Sequence, residues 1–316
     1  MLKVGIVGVG GISVAHLNAW KTIEGAEVVA LCDIRRERLD EHTDKRCYLN
    51  FEEMLENETL DILDVCVPTF LHIEYSIKAM NKGINVICEK PISLKREDVK
   101  LAYETAEKNG VKFMVAQVVR FAEEFNYVKE VFESKKYGKL LSGTMKRLGI
   151  YPYWTWENWM MKEKLSGLVP YDLHIHDLDF LVYAFGKPNV VTTKRARTPD
   201  ADYLNVIYDY DGFFIAAEAS WYAAPYPFQF GFKFQFKKAL ITLEDGKLNV
   251  YENEGKILDL TPGNENANET GEIGLPVSDA YANEIRYFTE CVKENKATEK
   301  IKPSELETVI DILNII

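Results

Sequence analysis

The chain has 316 residues, 47% of them hydrophobic and 28% charged, and carries a formal net charge of -11. Length and balance predict a soluble protein with two domains and a large core, and they exclude a disordered chain. The acidic excess argues against nucleic acid or an anionic membrane as the main partner, because both are bound by clustered lysine and arginine. No segment approaches the run of apolar residues that a membrane span needs, and the chain enters a strand within its first residues with no leader pattern. The expectation is therefore a protein without a membrane partner. Cysteines 32, 47, 66, 88 and 291 show no Cys-x-x-Cys spacing, and Cys32, Cys66 and Cys88 sit in apolar runs where a thiol acts as a small hydrophobe. That pattern suits a reducing cytoplasm.

The first apolar run, Val4 to Val7, meets the turn Gly8-Val9-Gly10-Gly11, and Ile12 to Ile23 then carries helical spacing through Val14, Leu17 and Trp20. Further apolar runs are Val28 to Cys32, ending at Asp33; Ile62 to Val67, ending at Pro68; and Ile84 to Cys88, ending at Glu89-Lys90-Pro91. Helices are predicted over Leu71 to Lys82 and Leu94 to Asn109, the second closed by Gly110. Strands alternating with helices predict an α/β fold with a parallel sheet covered on both faces. Lys112 to Val119 supplies its last strand, so the first domain is assigned to 1–119 and the second to 120–316.

The second domain opens with a predicted helix, Ala122 to Ser134, and turns β-rich. Phe228, Phe230, Phe232, Phe234 and Phe236 alternate with other residues, the period of a strand with one apolar face. That face packs either on helices or on the sheet of another subunit. Thr261 to Glu272 is polar and turn-rich and is read as a surface loop.

Gly8-x-Gly10-x-x-Ser13 follows a strand and opens a helix, and Asp33 ends the next strand. In that arrangement the first glycine makes the turn, the second lets a pyrophosphate approach the backbone, and the helix N-terminus offers N–H groups to the phosphates. Ser13 replaces the usual third glycine or alanine and is still small. Asp33 accepts hydrogen bonds from ribose hydroxyls and repels a 2′-phosphate, which favours NAD over NADP. Arg35 and Arg36 leave NADP open, since either guanidinium can receive that phosphate, stack on adenine or point to solvent.

A buried strand running into a lysine braced by proline places an ammonium group at a sheet edge, where chemistry is the better reason for it than solubility. Farther on, Asp172, His176 and Asp179 fall on one face if read as a helix. A carboxylate beside an imidazole orients it and stabilises its protonated form, which makes His176 a candidate general base and Asp172 its partner. His174 has no partner at that spacing and is either structural or in contact with substrate. Neighbours two apart on a helix diverge by roughly 200°, so His174 and His176 do not share an ion, and no metal is expected.

The ordered set GxGGIS, Asp33, Pro68 to His72 (PTFLH), Cys88-Glu89-Lys90-Pro91, Arg120-Phe121 and Asp172-x-x-x-His176-x-x-Asp179 resembles the Gfo/Idh/MocA oxidoreductases, the family of glucose-fructose oxidoreductase and inositol dehydrogenase. The resemblance spans nearly the whole chain. It implies an N-terminal Rossmann domain, a C-terminal α/β domain on an open, mostly antiparallel sheet, and a substrate cleft between them. It further implies NAD(P)-dependent oxidation of a secondary alcohol of a sugar, inositol or related polyol, with Lys90, Asp172 and His176 catalytic. Cofactor contacts are then expected from Gly8, Gly10, Gly11, Ile12, Asp33, Arg35, Pro68, His72, Glu89 and Lys90.

For the substrate, Tyr153 and Trp154 offer flat faces to a sugar ring, although a core or interface role suits them equally. Arg120 either binds an anionic group of the substrate or pairs with an acidic neighbour. Family members form dimers or tetramers through the open sheet, which makes the phenylalanine strand the expected interface. Two other readings stay open on this fold: a glycosidase that retains NAD and turns over without net redox change, and a non-catalytic nucleotide-sensing regulator. Two departures from the family pattern stand out, His174 in place of a common glycine and an end at Ile316 short of the usual tail.

Overall fold

In the computed structural model of the chain, which describes residues 1–263 and 279–316, the backbone forms two compact units. Among the described residues, the first comprises Met1–Val118 with 279–304, and the second Val119–Gly263 with Glu305–Ile316. A single cut at 119/120 thus misses one event: the described residues 279–304 belong by contact to the first unit. The polar stretch read as a loop over Thr261 to Glu272 lies outside the described residues beyond Gly263.

Unit one is built on six parallel strands, β1 (Leu2–Val7), β2 (Ala26–Cys32), β3 (Arg46–Tyr48), β4 (Ile62–Val65), β5 (Asn85–Glu89) and β6 (Phe113–Ala116), in the order β3-β2-β1-β4-β5-β6. Interleaved with them are α1 (Gly11–Trp20), α2 (Phe51–Asn57), α3 (His72–Met80) and α4 (Arg96–Asn109). All four residues of β4 and of β6 are buried, as expected for strands covered on both faces. Because every strand is parallel, the residues following β1, β2, β4 and β5 collect at one edge, where ligands bind in open α/β sheets.

Unit two contains α5 (Glu123–Ser134), β7 (Leu140–Ile150), α6 (Glu163–Ser166) and α7 (Ile175–Phe185), then β8 (Val190–Thr198), β9 (Ala201–Tyr210), β10 (Phe213–Tyr222), β11 (Gln229–Phe236), β12 (Ala239–Glu244), β13 (Lys247–Glu252) and β14 (Ile257–Asp259). Its eight-stranded sheet runs β14-β13-β12-β11-β7-β10-β9-β8, antiparallel throughout except for the β7/β10 pair. The helix α8 (Ala280–Lys293) packs against α1 in unit one, and α9 (Pro303–Leu313) lies mostly in unit two.

The alternating phenylalanines resolve one of the two expectations. Phe232, Phe234 and Phe236 are buried, and the first two meet α5 and α7: Phe125 lies 5.1 Å from Phe232, and Phe185 lies 5.8 Å from Phe234, centroid to centroid. This face covers helices of its own unit, so the expectation that it forms a subunit interface is corrected. A strand exposes alternate residues to opposite faces, and the other face carries Gln229, Gly231, Lys233 and Gln235.

Candidate functional site

The glycine turn lies where the sequence places it. Gly8 adopts φ +88°, and a Cβ there would come within 2.6 Å of the backbone of Cys66 and Val67. Only glycine satisfies both conditions. Val9 N donates to Asp33 Oδ2 at 2.8 Å, and Gly8 N donates to the Cys32 carbonyl at 2.8 Å, so the turn is tied to the end of β2. Helix α1 starts at Gly11 behind Gly10 with no side-chain cap and no acidic residue in its first turn. Ser13 Oγ, the small residue at the third position, donates to Gly10 O at 2.7 Å. A Cβ at Gly10 would meet a single atom within 4 Å, an Arg35 guanidinium nitrogen at 4.0 Å. Open backbone at Gly10 and an uncapped helix start at Gly11 and Ile12 fit the pyrophosphate of a dinucleotide.

Asp33 is buried and already engaged. Its Oδ1 accepts from Arg35 N at 2.8 Å and from Arg35 Nε at 3.1 Å, while Oδ2 also lies 3.3 Å from Arg35 Nη2. Arg35 therefore folds back over the carboxylate expected to hold the ribose. Pro68 follows β4 at the same sheet edge and is half-buried.

Two expected cofactor residues have other partners. His72 is 2% exposed, with Nδ1 2.6 Å from Pro91 O and Nε2 2.7 Å from Val67 O. Burial pushes its imidazole below the usual range, against the pull of the two carbonyls. Both ring nitrogens face main-chain carbonyls, so the ring ties the segment after β4 to Pro91. Glu89 is likewise buried, with Oε1 2.9 Å from His16 Nε2 and Oε2 accepting from Lys90 N at 3.0 Å. Its carboxylate is shared between His16 and the Lys90 main chain. Lys90 follows directly, half-buried, and the Lys90–Pro91 peptide bond is cis.

Sequence reasoning passed over a buried cluster beneath this edge. His16 Nδ1 lies 2.9 Å from Asp64 Oδ2, and that carboxylate also accepts from Trp20 Nε1 at 2.7 Å and from the Cys66 thiol at 3.4 Å. The signals were present: an aspartate inside the buried strand β4 and a histidine on the inner side of α1, each costly unless paired. His16, Asp64 and Cys66 are also close enough to hold an ion. Burial pushes the Cys66 thiol up to about 12, and the Nδ1 edge of His16 faces Asp64 Oδ2 at 2.9 Å. The cluster is a hydrogen-bonded charge network.

In unit two, the second set of candidates lies on an unusual backbone. Gly167 and Leu168 take φ of +72° and +61°, and Pro170–His174 forms a π-helical turn before α7. The sequence predicted an uninterrupted α-helix here, and the wider turn changes the phase between Asp172 and His176. Such turns recur at functional sites, as does a bulky residue such as Leu168 held in the left-handed region. The segment is pinned by Leu168 N donating to Ser166 Oγ at 3.0 Å and Val169 N to Asp202 Oδ2 at 3.3 Å. Asp172 and His176 are half-buried, whereas His174, Asp177 and Asp179 are buried.

The buried three have structural partners. His174 Nε2 lies 2.5 Å from Tyr208 Oη, the rings are stacked, and burial together with the Arg147 charge lowers its imidazole to about 3. Of the two roles open to it, the structural one holds. Asp177 accepts from Arg147 Nη2 at 2.8 Å, and burial raises its carboxyl despite that charge. Arg120, expected as a substrate ligand, is fully buried: Nε and Nη2 donate to Asp179 at 2.7 Å each, and Nη1 pairs with Glu305. It is a structural charge of unit two and is withdrawn from the substrate set, and Asp179 leaves the catalytic face with it. Tyr153 and Trp154 are 49% and 54% exposed, available to a ligand.

Residues 2–117 match the family description "Oxidoreductase family, NAD-binding Rossmann fold", and residues 125–249 match the Gfo/Idh/MocA C-terminal domain. The chain is 28% identical over 208 residues to glucose-6-phosphate 3-dehydrogenase of Bacillus subtilis, covering 62% of this chain and 57% of that protein. It is 31% identical over 192 residues to 2,7-anhydro-N-acetylneuraminate hydratase of Mediterraneibacter gnavus, covering 59% and 50%. The chain spans about half the length of the curated relatives it matches. Among solved structures, levoglucosan dehydrogenase in complex with NADH and levoglucosan superposes with a TM-score of 0.81 at 18% identity, over 100% of this chain and 96% of that one, a likeness of fold. With both domain matches in sequence order and the glycine turn, Asp33 and Lys90 on one sheet edge, the chain belongs to the Gfo/Idh/MocA oxidoreductase family, with an NAD-binding N-terminal domain.

Proposed function

We propose that the protein is an NAD-dependent dehydrogenase that oxidises a secondary alcohol of a sugar, inositol or related polyol. The observation that carries this reading is the shared edge of unit one: the uncapped helix start after β1, Asp33 after β2 and Lys90 after β5 all lie at the carboxyl ends of one parallel sheet. A site that only bound a nucleotide has no need of Lys90. NAD, when bound, supplies the acceptor at C4 of its nicotinamide.

The chain's own residues do the rest. Gly8, Gly10, Gly11 and Ile12 present backbone to the pyrophosphate, and Asp33 addresses the ribose once Arg35 releases it. His176 takes the proton of the substrate hydroxyl, the role a positioned imidazole most often fills. Lys90 Nζ holds the negative charge that develops on the oxygen, and Asp172 orients the His176 ring. Tyr153 and Trp154 offer faces to the substrate's C–H side. The five free thiols suit a reducing cytoplasm, and assembly as a dimer or tetramer is assigned to the sheet face opposite the phenylalanines, where Ile207, Phe214 and Tyr251 are exposed.

The test is NADH formation by the purified protein with inositols, aldoses and sugar acids, repeated with NADP. Net NADH with one class, lost in Lys90→Ala and His176→Ala while NADH binding persists, is the expected result. No net NADH from any alcohol despite tight NAD binding would overturn it. The hydratase relative supports one second reading, a reaction that leaves NAD unchanged overall, and that outcome would favour it.

A further inference from the structure

Lys90 sits between two residues that are each anchored to a buried histidine. On its N-terminal side, Glu89 accepts Lys90 N with one oxygen and meets His16 Nε2 with the other. On its C-terminal side, the Pro91 carbonyl meets His72 Nδ1. Each histidine has a second anchor on its opposite ring nitrogen: Asp64 Oδ2 for His16 and the Val67 carbonyl for His72. Both anchors belong to β4 or the residues just after it, the strand next to β5.

We propose that His16 and His72 are positioning residues that fix the main chain on either side of Lys90 and so set the point from which its ammonium group acts. This rests on the role given to Lys90 above.

Chemistry of the rings supports the assignment. A neutral imidazole donates from one nitrogen only. His16 has a carboxylate oxygen 2.9 Å from each nitrogen, so the arrangement is satisfied in full by the imidazolium, which donates to Asp64 and Glu89 together. Burial alone would depress its pKa, but the Asp64 charge and the Cys66 contact hold it well above the usual range. At a fully buried site, two charge-assisted bonds from one rigid ring fix a separation better than flexible side chains do. His72 faces two carbonyls; one contact is a donated N–H in either neutral tautomer, and both are in the protonated ring. His16 also lies on α1, the helix that opens at the glycine turn, so the phosphate-binding helix and the lysine share one rigid connection.

The buried network is itself structural, so a test must separate positioning from folding. Glu89→Ala removes the acceptor for both His16 and Lys90 N while leaving the His16–Asp64 pair intact. Glu89→Gln keeps an oxygen for Lys90 N and lets a neutral His16, with Nδ1–H on Asp64, accept from the new amide. His72→Phe removes the second strut. Each variant is assayed for kcat and KM with the polyol identified by the NADH panel, for NADH affinity by nicotinamide fluorescence, and for melting temperature.

The expected result is a fall in kcat of about 10- to 100-fold for Glu89→Ala and His72→Phe, as small misplacements of a reacting group produce. NADH affinity should stay within about twofold because the glycine turn is untouched, and Glu89→Gln should recover most of the loss. Folded variants with kcat within about twofold of wild type would overturn the proposal. So would a loss confined to NADH affinity. If Lys90→Ala itself keeps wild-type turnover, the prior reading of Lys90 fails instead, and the two failures are told apart by that one variant. Should His72→Phe not fold, the Glu89 pair decides.

Discussion

Acid should weaken the second unit through His174, and the size of the effect can be worked out in advance. The imidazole is buried against Tyr208, and burial with the neighbouring Arg147 charge lowers its pKa to about 3, whereas in an unfolded chain it titrates near about 6.5. The folded value lies below the unfolded one, so the unfolded chain takes up the proton first. Stability from a neutral His174 is therefore intact above about pH 6.5 and is lost progressively as pH falls toward about 3. Between pH 7.5 and 5.5 the loss is about 1.4 kcal/mol, and it is set almost wholly by the unfolded value. The lower limit keeps the protein above its pI of about 5.1. The assay is urea unfolding at both pH values followed by tryptophan fluorescence, which reports mainly on unit two because Trp154, Trp156, Trp159 and Trp221 lie there. His174→Gln keeps a polar group toward Tyr208 but does not titrate, so its pH dependence should be smaller than wild type by that amount. Equal pH dependence in wild type and variant would refute the reasoning.

Other perturbations test the site. Arg120→Ala should destabilise the protein by about 3–5 kcal/mol by stranding buried Asp179, with little effect on KM; unchanged melting with a raised KM would return Arg120 to the substrate. Gly8→Ala should abolish NADH binding, because a left-handed backbone costs about 1–2 kcal/mol and the added Cβ meets main chain that cannot yield; wild-type NADH affinity by fluorescence titration would contradict this. Asp33→Ala should shift preference toward NADP and also weaken the turn, since Asp33 accepts from Val9 N. In Arg35→Ala the NADP KM should rise more than the NAD KM, and an unchanged ratio of cofactor KM values in both variants would remove the pair from cofactor choice.

The parallel sheet, the glycine turn and the approach of β5 to Lys90 were legible because each depends on local patterns: an apolar run, glycines at a fixed offset, a proline after a lysine. The alternating phenylalanines announced a strand but not which surface they cover, since period two is the same against a helix as against another subunit. The partners of Arg120, His72 and Glu89 were not legible for a related reason. Their roles are decided by long-range partners, Asp179 and Glu305, the Val67 and Pro91 carbonyls, and His16, none of which sequence spacing reveals. The π-helical turn at Pro170–His174 follows the left-handed pair Gly167-Leu168, and a leucine in that conformation is not something propensity predicts.

The central claim, that this chain moves a hydride from a carbinol carbon to NAD, is tested most directly with a polyol deuterated at that carbon, incubated with NAD and the protein, followed by mass analysis of the nicotinamide product. The account predicts net NADH carrying one deuterium, formed by wild type and absent with Lys90→Ala. Deuterium that remains in or returns to the carbon compound, with no net NADH, would contradict it.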